Sequence, residues 1–320
     1  MKKMSISLGL AICWLPVSFA ATVHLRGRVS NEAGEPVANA VMHVRTLKLL
    51  GFGAGSSPAH FSENAKGADK AGEVDMPFQC VSGDFECWVT APGYYNSTVR
   101  QGHYKIRQNA MTVELVETEK SMEFVMRKVK QPIPMIAYPS PIHSKFPTLN
   151  GEFAFDLERA DWVRPHGIGE VPDLWIACDR VQSNGVDRAK IRLLFKEEGC
   201  GAYWCAKDPA SVFPSPYEAD TNAVFRQAFE FEFRKPGENG AVDFREGIDP
   251  DGIVILRTRV ERDENGKIVK ANYAKIYGPL RLWGFFNFGQ ISFNPVSNDV
   301  NLEFDVGKNL RHGVKGNLRP

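Results

Sequence analysis

The chain lacks the short motifs that most often mark a catalytic or metal site. It contains no Gly-x-Ser-x-Gly, no His-Glu-x-x-His and no doubled short-spaced cysteine pair, the patterns of serine hydrolases, zinc peptidases and structural zinc sites. It also lacks the Asp-Thr-Gly or Asp-Ser-Gly loops of pepsin-like proteases. The glycine-rich stretch GFGAGSS has no lysine of a phosphate-binding loop, which argues against nucleotide binding. No resident metal or cofactor is therefore expected.

Net charge and helical periodicity are equally scarce. There are 39 basic and 38 acidic residues, a formal net charge of +1, and loss of Lys2 and Lys3 with a leader makes the balance −1. Such a chain has no overall field to attract nucleic acid or an anionic membrane, so no nucleic-acid partner is expected. Since no stretch keeps a helical period over a useful length, the fold class is predicted to be all-β.

The N-terminus has the three parts of a secretory signal peptide. Two lysines precede a mostly apolar run from 6 to 19, and Ser18-Phe19-Ala20 places small residues before a cleavage point. The run is too short to span a bilayer comfortably, which takes about 20 residues, although an uncleaved anchor is the alternative. Residues 1–20 are thus predicted to be removed, leaving a secreted, periplasmic or cell-surface chain without a transmembrane span.

Five cysteines remain in the mature chain, an odd number. In an oxidising compartment they should pair where geometry allows. Cys80 and Cys87 flank the turn-like VSGDFE, and Cys200 and Cys205 bracket GAYW, so these four are the disulfide candidates. Cys178 is either the unpaired thiol or the partner of one of the last two.

The first half alternates with a period of two around chemically specified turns. Val23, Leu25 and Val29 lie on one face of a strand, with a gap at Gly27 that suits a bulge or a close backbone approach. NEAGEP then supplies the residues of a turn before a second strand with small Ala40. Two such strands so near the start predict a β-sandwich.

These residues carry a family resemblance. Gly27, Val29, Gly34, Pro36, Val37 and Ala40, followed by ADKAGEV and by GDFECWVTAPGYYNSTV with Gly93-Tyr94, resemble the carboxypeptidase regulatory-like domain over residues 22–129. The resemblance implies a transthyretin-like β-sandwich and provides no catalytic residues. It departs from the family at Asn31, where aspartate is frequent, and in a Gly-rich insertion.

The second half is predicted to be a separate β domain. Residues 130–149 hold five prolines and are predicted to form a semi-rigid linker between the domains, or a strap that lies across a surface. Residues 150–310 contain alternating strands and a long hairpin around Asn265-Gly266, which predict an antiparallel β-sandwich or jelly roll; residues 311–320 are a tail. This half resembles an uncharacterised region of exported bacterial proteins that carry the same N-terminal module, which implies architecture only.

Four aspartates and one histidine are the candidate catalytic groups, because paired carboxylates perform glycoside hydrolysis and acid–base chemistry. Loop carboxylates that close turns are the competing interpretation. The candidates lie close together in sequence: Asp156, Asp161, Asp173, Asp179 and His166.

Aromatic residues near loops are the candidate ligand contacts. Tyr203 and Trp204, between two cysteines, and Trp283 in RLWGFFNFG would stack on a sugar or anchor a partner if exposed; packing in the core is the alternative. Isolated calcium is possible at the turns 249–252 and 263–266.

The leading functional hypothesis is therefore an exported binding or structural module for a glycan, glycoprotein or envelope component. The alternative is a secreted hydrolase, a protease or glycosidase, that acts on a glycoprotein or polysaccharide through paired aspartates.

Overall fold

The computed structural model describes residues 21–48, 60–80, 83–109, 112–115, 117–139, 147–148, 150–183, 186–235, 243–244, 252–278, 281–282, 286–287, 289–314 and 317–320. Within these ranges the fold is all-β, as predicted, and its one helix is the 3₁₀ turn Val306–Lys308. The chain divides into two compact units, residues 1–128 and 129–320. No helix among the described residues is long and apolar enough to cross a membrane.

Unit 1 is a sandwich of two sheets with the strand orders β4-β1-β9 and β3-β2-β5-β6, plus the β7-β8 ribbon. β1 pairs antiparallel with β4 and parallel with β9. The strands are β1 (Ala21–Asn31), β2 (Val41–Lys48), β3 (His60–Gly67), β4 (Glu73–Cys80), β5 (Asp84–Thr90), β6 (Arg100–His103), β7 (Ile106–Asn109), β8 (Thr112–Leu115) and β9 (Glu119–Met126).

The period-two prediction for β1 is confirmed. Val23, Leu25 and Val29 are fully buried in the core of unit 1. At Gly27 the close approach is present: a Cβ there would lie 2.9 Å from Val74 Cγ1 and 3.0 Å from Met42 Sδ. The glycine therefore lets two core side chains close over the strand.

Unit 2 is a sandwich of two antiparallel sheets, ordered β10-β22-β19-β18-β15 and β12-β11-β13-β14-β16-β17, with the β20-β21 ribbon. The strands are β10 (Ile136–Pro139), β11 (Glu152–Asp156), β12 (Asp161–Trp162), β13 (Leu174–Ser183), β14 (Val186–Leu194), β15 (Gly201–Cys205), β16 (Ala228–Lys235), β17 (Asp243–Phe244), β18 (Ile253–Arg262), β19 (Ile268–Tyr277), β20 (Arg281–Leu282), β21 (Phe286–Asn287) and β22 (Gln290–Asn294).

The sheet β10-β22-β19-β18-β15, which we call the central sheet of unit 2, is buried on both faces. One face meets the second sheet in a core that includes Phe155, Ile176, Leu256 and Phe293. The opposite face is covered by a smaller cluster around Ile255, Tyr273 and Leu302. Burial on two sides explains why β22 is buried at every position, QISFN, instead of alternating.

Parts of the predicted linker and tail make contacts within unit 2. Residues 136–139 form β10 at an edge of the central sheet, and the buried carboxylate of Glu303 accepts hydrogen bonds from the backbone N–H of Lys130 and Gln131 at 2.8 and 2.5 Å. The tail docks as well: Arg319 exchanges two hydrogen bonds with the side chain of Gln290. These contacts agree with the alternative of a strap that lies across a surface, and residues 140–146 and 149 lie outside the described residues.

The two predicted disulfides are also corrected, since none of the five cysteines among the described residues forms a disulfide. Cys80 and Cys87 lie on β4 and β5, which belong to different sheets, so they do not face each other across a hairpin. Cys200 packs in the core between the sheets, while Cys205 packs with the cluster on the other face. Side chains an odd number of residues apart along an extended segment point to opposite faces, which keeps Cys200 and Cys205 apart.

Candidate functional site

A cluster of charged side chains in unit 2 is centred on Arg259, at an irregularity in the β18–β19 hairpin. The pairing register shifts between Thr258 and Glu261, and Arg259 has φ of 53°, a left-handed conformation that is uncommon outside glycine. Bulges re-aim side chains. Here the guanidinium lies 4.8 Å from the ring centre of Phe293 and reaches three carboxylates.

Asp173 is the principal partner of Arg259. Its carboxylate accepts hydrogen bonds from Nε and Nη2 of Arg259 at 2.8 and 3.0 Å, and from the backbone N–H of Leu157 at 2.9 Å. The side chain has no solvent exposure. Burial raises the pKa of Asp173, and the arginine offsets that effect only in part. This is a paired, buried carboxylate whose oxygens are all occupied.

Asp156 lies beside it and is held differently. Arg259 Nη2 approaches its Oδ1 at 3.6 Å, but the strong contacts are four backbone N–H groups, those of Glu158, Arg159, Glu170 and Val171, at 2.9–3.0 Å. Burial alone would raise the pKa of Asp156, and the backbone donors outweigh it, so the pKa is lowered. The carboxylate joins two loops of unit 2.

The structure does not bring the other catalytic candidates, Asp161, Asp179 and His166, to this pair of carboxylates. Asp161 accepts from the backbone N–H of Trp162 and Ile168 at 2.8 and 3.1 Å and so closes a loop. Asp179 forms a half-exposed pair with Arg192 at 3.0 Å. His166 is exposed, with its ring centre 4.8 Å from that of Phe153. The structure thus brings Asp156 and Asp173 together on one arginine and uses Asp161 and Asp179 elsewhere.

A cavity of about 270 Å³ opens beside Asp173 and Arg259. Charges of both signs stand around it: Lys270 pairs with Glu261 at 2.5 Å, and Lys196 Nζ lies 3.4 Å from the ring centre of Trp175. We call this cavity the Arg259 cleft; its lining comprises Val171, Pro172, Asp173, Phe195, Lys196, Glu197, Cys200, Arg259, Val260, Glu261 and Lys270.

The aromatic candidates occupy opposite faces of the edge strand β15. Tyr203 packs with the outer cluster, its ring centre 5.1 Å from that of Phe225, and its hydroxyl accepts from the backbone N–H of Asp220 at 2.9 Å. Trp204 packs against the inter-sheet core, and a Cβ on Gly252 would lie 1.9 Å from its Nε1. Both residues are partly buried, and they do not form one shared platform. Trp283 lies outside the described residues.

Of the two calcium candidates, the turn at 263–266 is described, and it gives no support for a calcium site. Asp263 Oδ1 accepts from the backbone N–H of Asn265 and Lys267 at 3.0 and 2.9 Å, so it closes its own turn. Residues 249–251 lie outside the described ranges. Among the residues described, no three His, Cys, Asp or Glu side chains form a group that could hold a metal ion.

Sequence reasoning missed two cations, Arg259 and Lys275. The local sequence gives little indication of the role of Arg259, because whether a bulge forms there depends on how the partner strand pairs. Lys275 gives a clearer one: it stands between Tyr273 and Tyr277 on one face of a strand, with period two, and it is fully buried. A lysine at a predicted core position indicates a buried polar partner.

Comparison with known proteins adds little to this picture. No family model and no curated protein matches the chain. Among solved structures, 3-chlorocatechol 1,2-dioxygenase from Rhodococcus opacus 1CP is similar at 12% identity and a TM-score of 0.26; the match covers 36% of this chain and 63% of the dioxygenase. A DUF3823 family protein from Bacteroides uniformis is similar at 8% identity and a TM-score of 0.19, with 84% and 96% covered. At these TM-scores neither likeness bears on the activity of this chain.

Proposed function

We propose that the protein is an exported, non-catalytic binding module whose ligand is a glycan, a glycoprotein or another envelope component. The signal-peptide pattern at residues 1–20 supports export to the periplasm or cell surface. The observation that carries the binding function is the Arg259 cleft, where a cavity of about 270 Å³ is lined by paired charges and apolar side chains.

The state of the carboxylates favours binding over hydrolysis. A general acid or nucleophile needs an oxygen that faces the substrate. Asp156 instead accepts four backbone hydrogen bonds, and Asp173 is fully buried against Arg259. These hydrogen bonds give both residues a structural role: Asp173 lines the cleft, and Asp156 holds the loop that contributes Val171 to it.

The size and polarity of the cleft suggest the class of ligand. Pockets for drug-sized ligands have volumes of about 300–1,000 Å³, so this one fits a single sugar residue or a short polar side chain. Exposed amines and carboxylates such as Lys270 and Glu261 are able to hydrogen-bond sugar hydroxyls. We infer that the cleft holds the end of a glycan chain.

We also infer that unit 1 is a carboxypeptidase regulatory-like domain. The glycines that carry the resemblance support this assignment: Gly34, Gly72 and Gly93 all have positive φ, between 77° and 80°. At Gly72 a Cβ would lie 2.3 Å from the carbonyl oxygen of Val29. At Asn31 the departure from aspartate is conservative, because its Oδ1 accepts from two backbone N–H groups of the turn.

The test is a screen of purified residues 21–320 against glycans and mucin-like glycoproteins that scores retention and product release. We expect retention without release, and at least a tenfold loss of affinity when Lys196 and Lys270 are both changed to alanine. Lys308→Ala, an exposed lysine outside the cleft, is the matched control. Separate Tyr203→Ala and Trp204→Ala variants test β15 as the binding surface instead.

Two outcomes would overturn the proposal. Affinity that is unchanged in the double lysine variant would remove the cleft as the binding site. Product release that disappears in Asp156→Asn would favour the hydrolase.

A further inference from the structure

The sheet β12-β11-β13-β14-β16-β17 of unit 2 carries an apolar row on its outer face. Four residues lie opposite one another on neighbouring strands: Ala154, Trp175, Leu194 and Ala228. The residues on either side of Trp175 in sequence, Leu174 and Ile176, belong to the inter-sheet core, so Trp175 points away from that core. Trp175 and Leu194 are partly exposed and Ala228 is exposed. Since polar residues are usual on the outer face of such a sheet, a contiguous apolar row there marks a surface for a ligand.

Lys196 joins this row to the Arg259 cleft. It lines the cleft, and its ammonium lies 3.4 Å from the ring centre of Trp175 and 2.5 Å from Oε1 of Glu152. The lysine side chain is 49% exposed, so the ring face that it contacts is reached from the surface. Asp173, also in the cleft wall, comes two residues before Trp175, a rise of about 7 Å along extended backbone. A chain that leaves the cleft beside Lys196 therefore meets the indole next.

Hydrogen-bonding side chains border the apolar row. The next row on the same face holds Glu152, Arg192 and Glu230. Each of these three pairs with an opposite charge, at 2.5, 3.0 and 2.5 Å respectively: Lys196, Asp179 and Lys190. Because the charges of this border are paired, it presents no net field to an anionic polymer. It does present donors and acceptors that suit the hydroxyls of an uncharged ligand.

An indole beside such a border matches a sugar ring. The face of an indole is electron-rich, so it attracts an ammonium and, for the same reason, the C–H face of a sugar ring. An exposed ion pair such as Lys196 with Glu152 contributes little stability. A sugar ring therefore displaces Lys196 from Trp175 at little cost, and the freed ammonium donates to the hydroxyls of the sugar.

We propose that Trp175 is a second sugar subsite of the Arg259 cleft, with Leu194 and Ala228 extending its apolar surface. This inference rests on the glycan-binding function proposed above. The end of the glycan lies in the cleft, and the next sugar passes Lys196 and stacks on the indole. Affinity therefore grows with the number of sugars, because a single sugar occupies the cleft and a longer chain contacts Trp175 as well.

The experiment measures the affinity of residues 21–320 for oligomers of N-acetylglucosamine and of glucose, from one to four sugars, by isothermal titration calorimetry. In at least one series, we expect the tetramer to bind at least about tenfold more tightly than the monomer. Trp175→Ala should remove this gain, so that the tetramer binds no better than the monomer. Lys270→Ala, which changes the cleft, should weaken the binding of every length. Trp88→Ala is the matched control, because Trp88 is also partly exposed and lies between the core residues Cys87 and Val89 of unit 1; it should change no affinity.

Tryptophan fluorescence covers the case in which Trp175→Ala is poorly folded. Trp175→Phe keeps an aromatic ring, so it should bind the tetramer with an affinity between those of the wild type and Trp175→Ala. The change in emission that the tetramer causes in the wild type should be smaller in Trp175→Phe.

The outcomes separate this inference from the function on which it rests. A gain with chain length that survives Trp175→Ala, together with weaker binding by Lys270→Ala, would overturn the subsite and support the cleft. A loss in Trp175→Ala, with Lys270→Ala unchanged, would support the indole as a sugar site and overturn the cleft. Equal affinity for all lengths, or no binding of any oligomer, would overturn the subsite, and retention in the glycan screen then decides the proposed function separately.

Discussion

Replacement of Asp173 by alanine tests whether the carboxylates of the Arg259 cleft are structural. The change removes two hydrogen bonds from Arg259 and one from the Leu157 N–H, and it leaves a guanidinium that is only 20% exposed. Breaking a buried ion pair from one side costs about 3–5 kcal/mol. Because Arg259 keeps Glu158 at 2.7 Å, we expect the lower end, about 3 kcal/mol.

Asp179→Ala is the matched control, since that carboxylate also pairs with an arginine at 3.0 Å but is 46% exposed. Exposed pairs contribute at most about 1 kcal/mol. In a unit of this size each kcal/mol shifts the melting temperature by about 2–4 °C. Calorimetry of residues 21–320 should show a fall of about 6–12 °C for Asp173→Ala and below about 4 °C for Asp179→Ala.

Two results test whether the burial of Asp173 accounts for the larger effect. Equal losses of unfolding free energy in the two variants would refute it, because burial would then make no difference. The double variant Asp173→Ala with Arg259→Met should lose less than the sum of its single changes, since it leaves no unpaired cation.

Further predictions concern ionisation and packing in the same chain. Because the pKa of Asp156 is lowered in the folded state, its contribution to stability is present above the unfolded pKa and is lost as pH falls through the folded pKa. Urea titrations at about pH 5 and about pH 3 should therefore show a smaller loss of unfolding free energy on acidification in Asp156→Asn than in the wild type. Burial raises the pKa of Cys87 and of Cys205 to about 11, so both thiols should react slowly with iodoacetamide at neutral pH and rapidly in denaturant; mass spectrometry that finds either cysteine in a disulfide would contradict the fold. Gly252→Ala should displace the Trp204 indole and cost about 1–3 kcal/mol, seen as a shift in tryptophan fluorescence; an unchanged spectrum and stability would show that the indole does not pack there.

Local sequence patterns predict the strands and turns of this fold well. Asn31, Asp69 and Asp263 each begin a segment with glycine three residues later, and each side-chain oxygen accepts from the backbone N–H groups two and four residues on. The chemistry of such a turn is complete within five residues. For the same reason the sequence predicts the 263–267 hairpin turn together with its flanking strands.

Features that depend on distant partners were not predictable in the same way. The VSGDFE connection seemed a hairpin, yet β4 and β5 enter different sheets, and nothing in the six residues distinguishes the two outcomes. The role of Asp156 as an acceptor for two loops depends on residues 158–159 and 170–171 at once. Sequence proximity brought the aspartates to attention, but only the fold shows that two of them share Arg259.

The most direct test of the central claim is one assay that records binding and turnover together. Wild-type residues 21–320, the Lys196→Ala/Lys270→Ala variant and Asp156→Asn would be incubated with the glycan that the screen retains, with bound ligand and released product both quantified. The account predicts wild-type binding without product and at least tenfold weaker binding by the double lysine variant. Product that accumulates with the wild type and disappears in Asp156→Asn would contradict it.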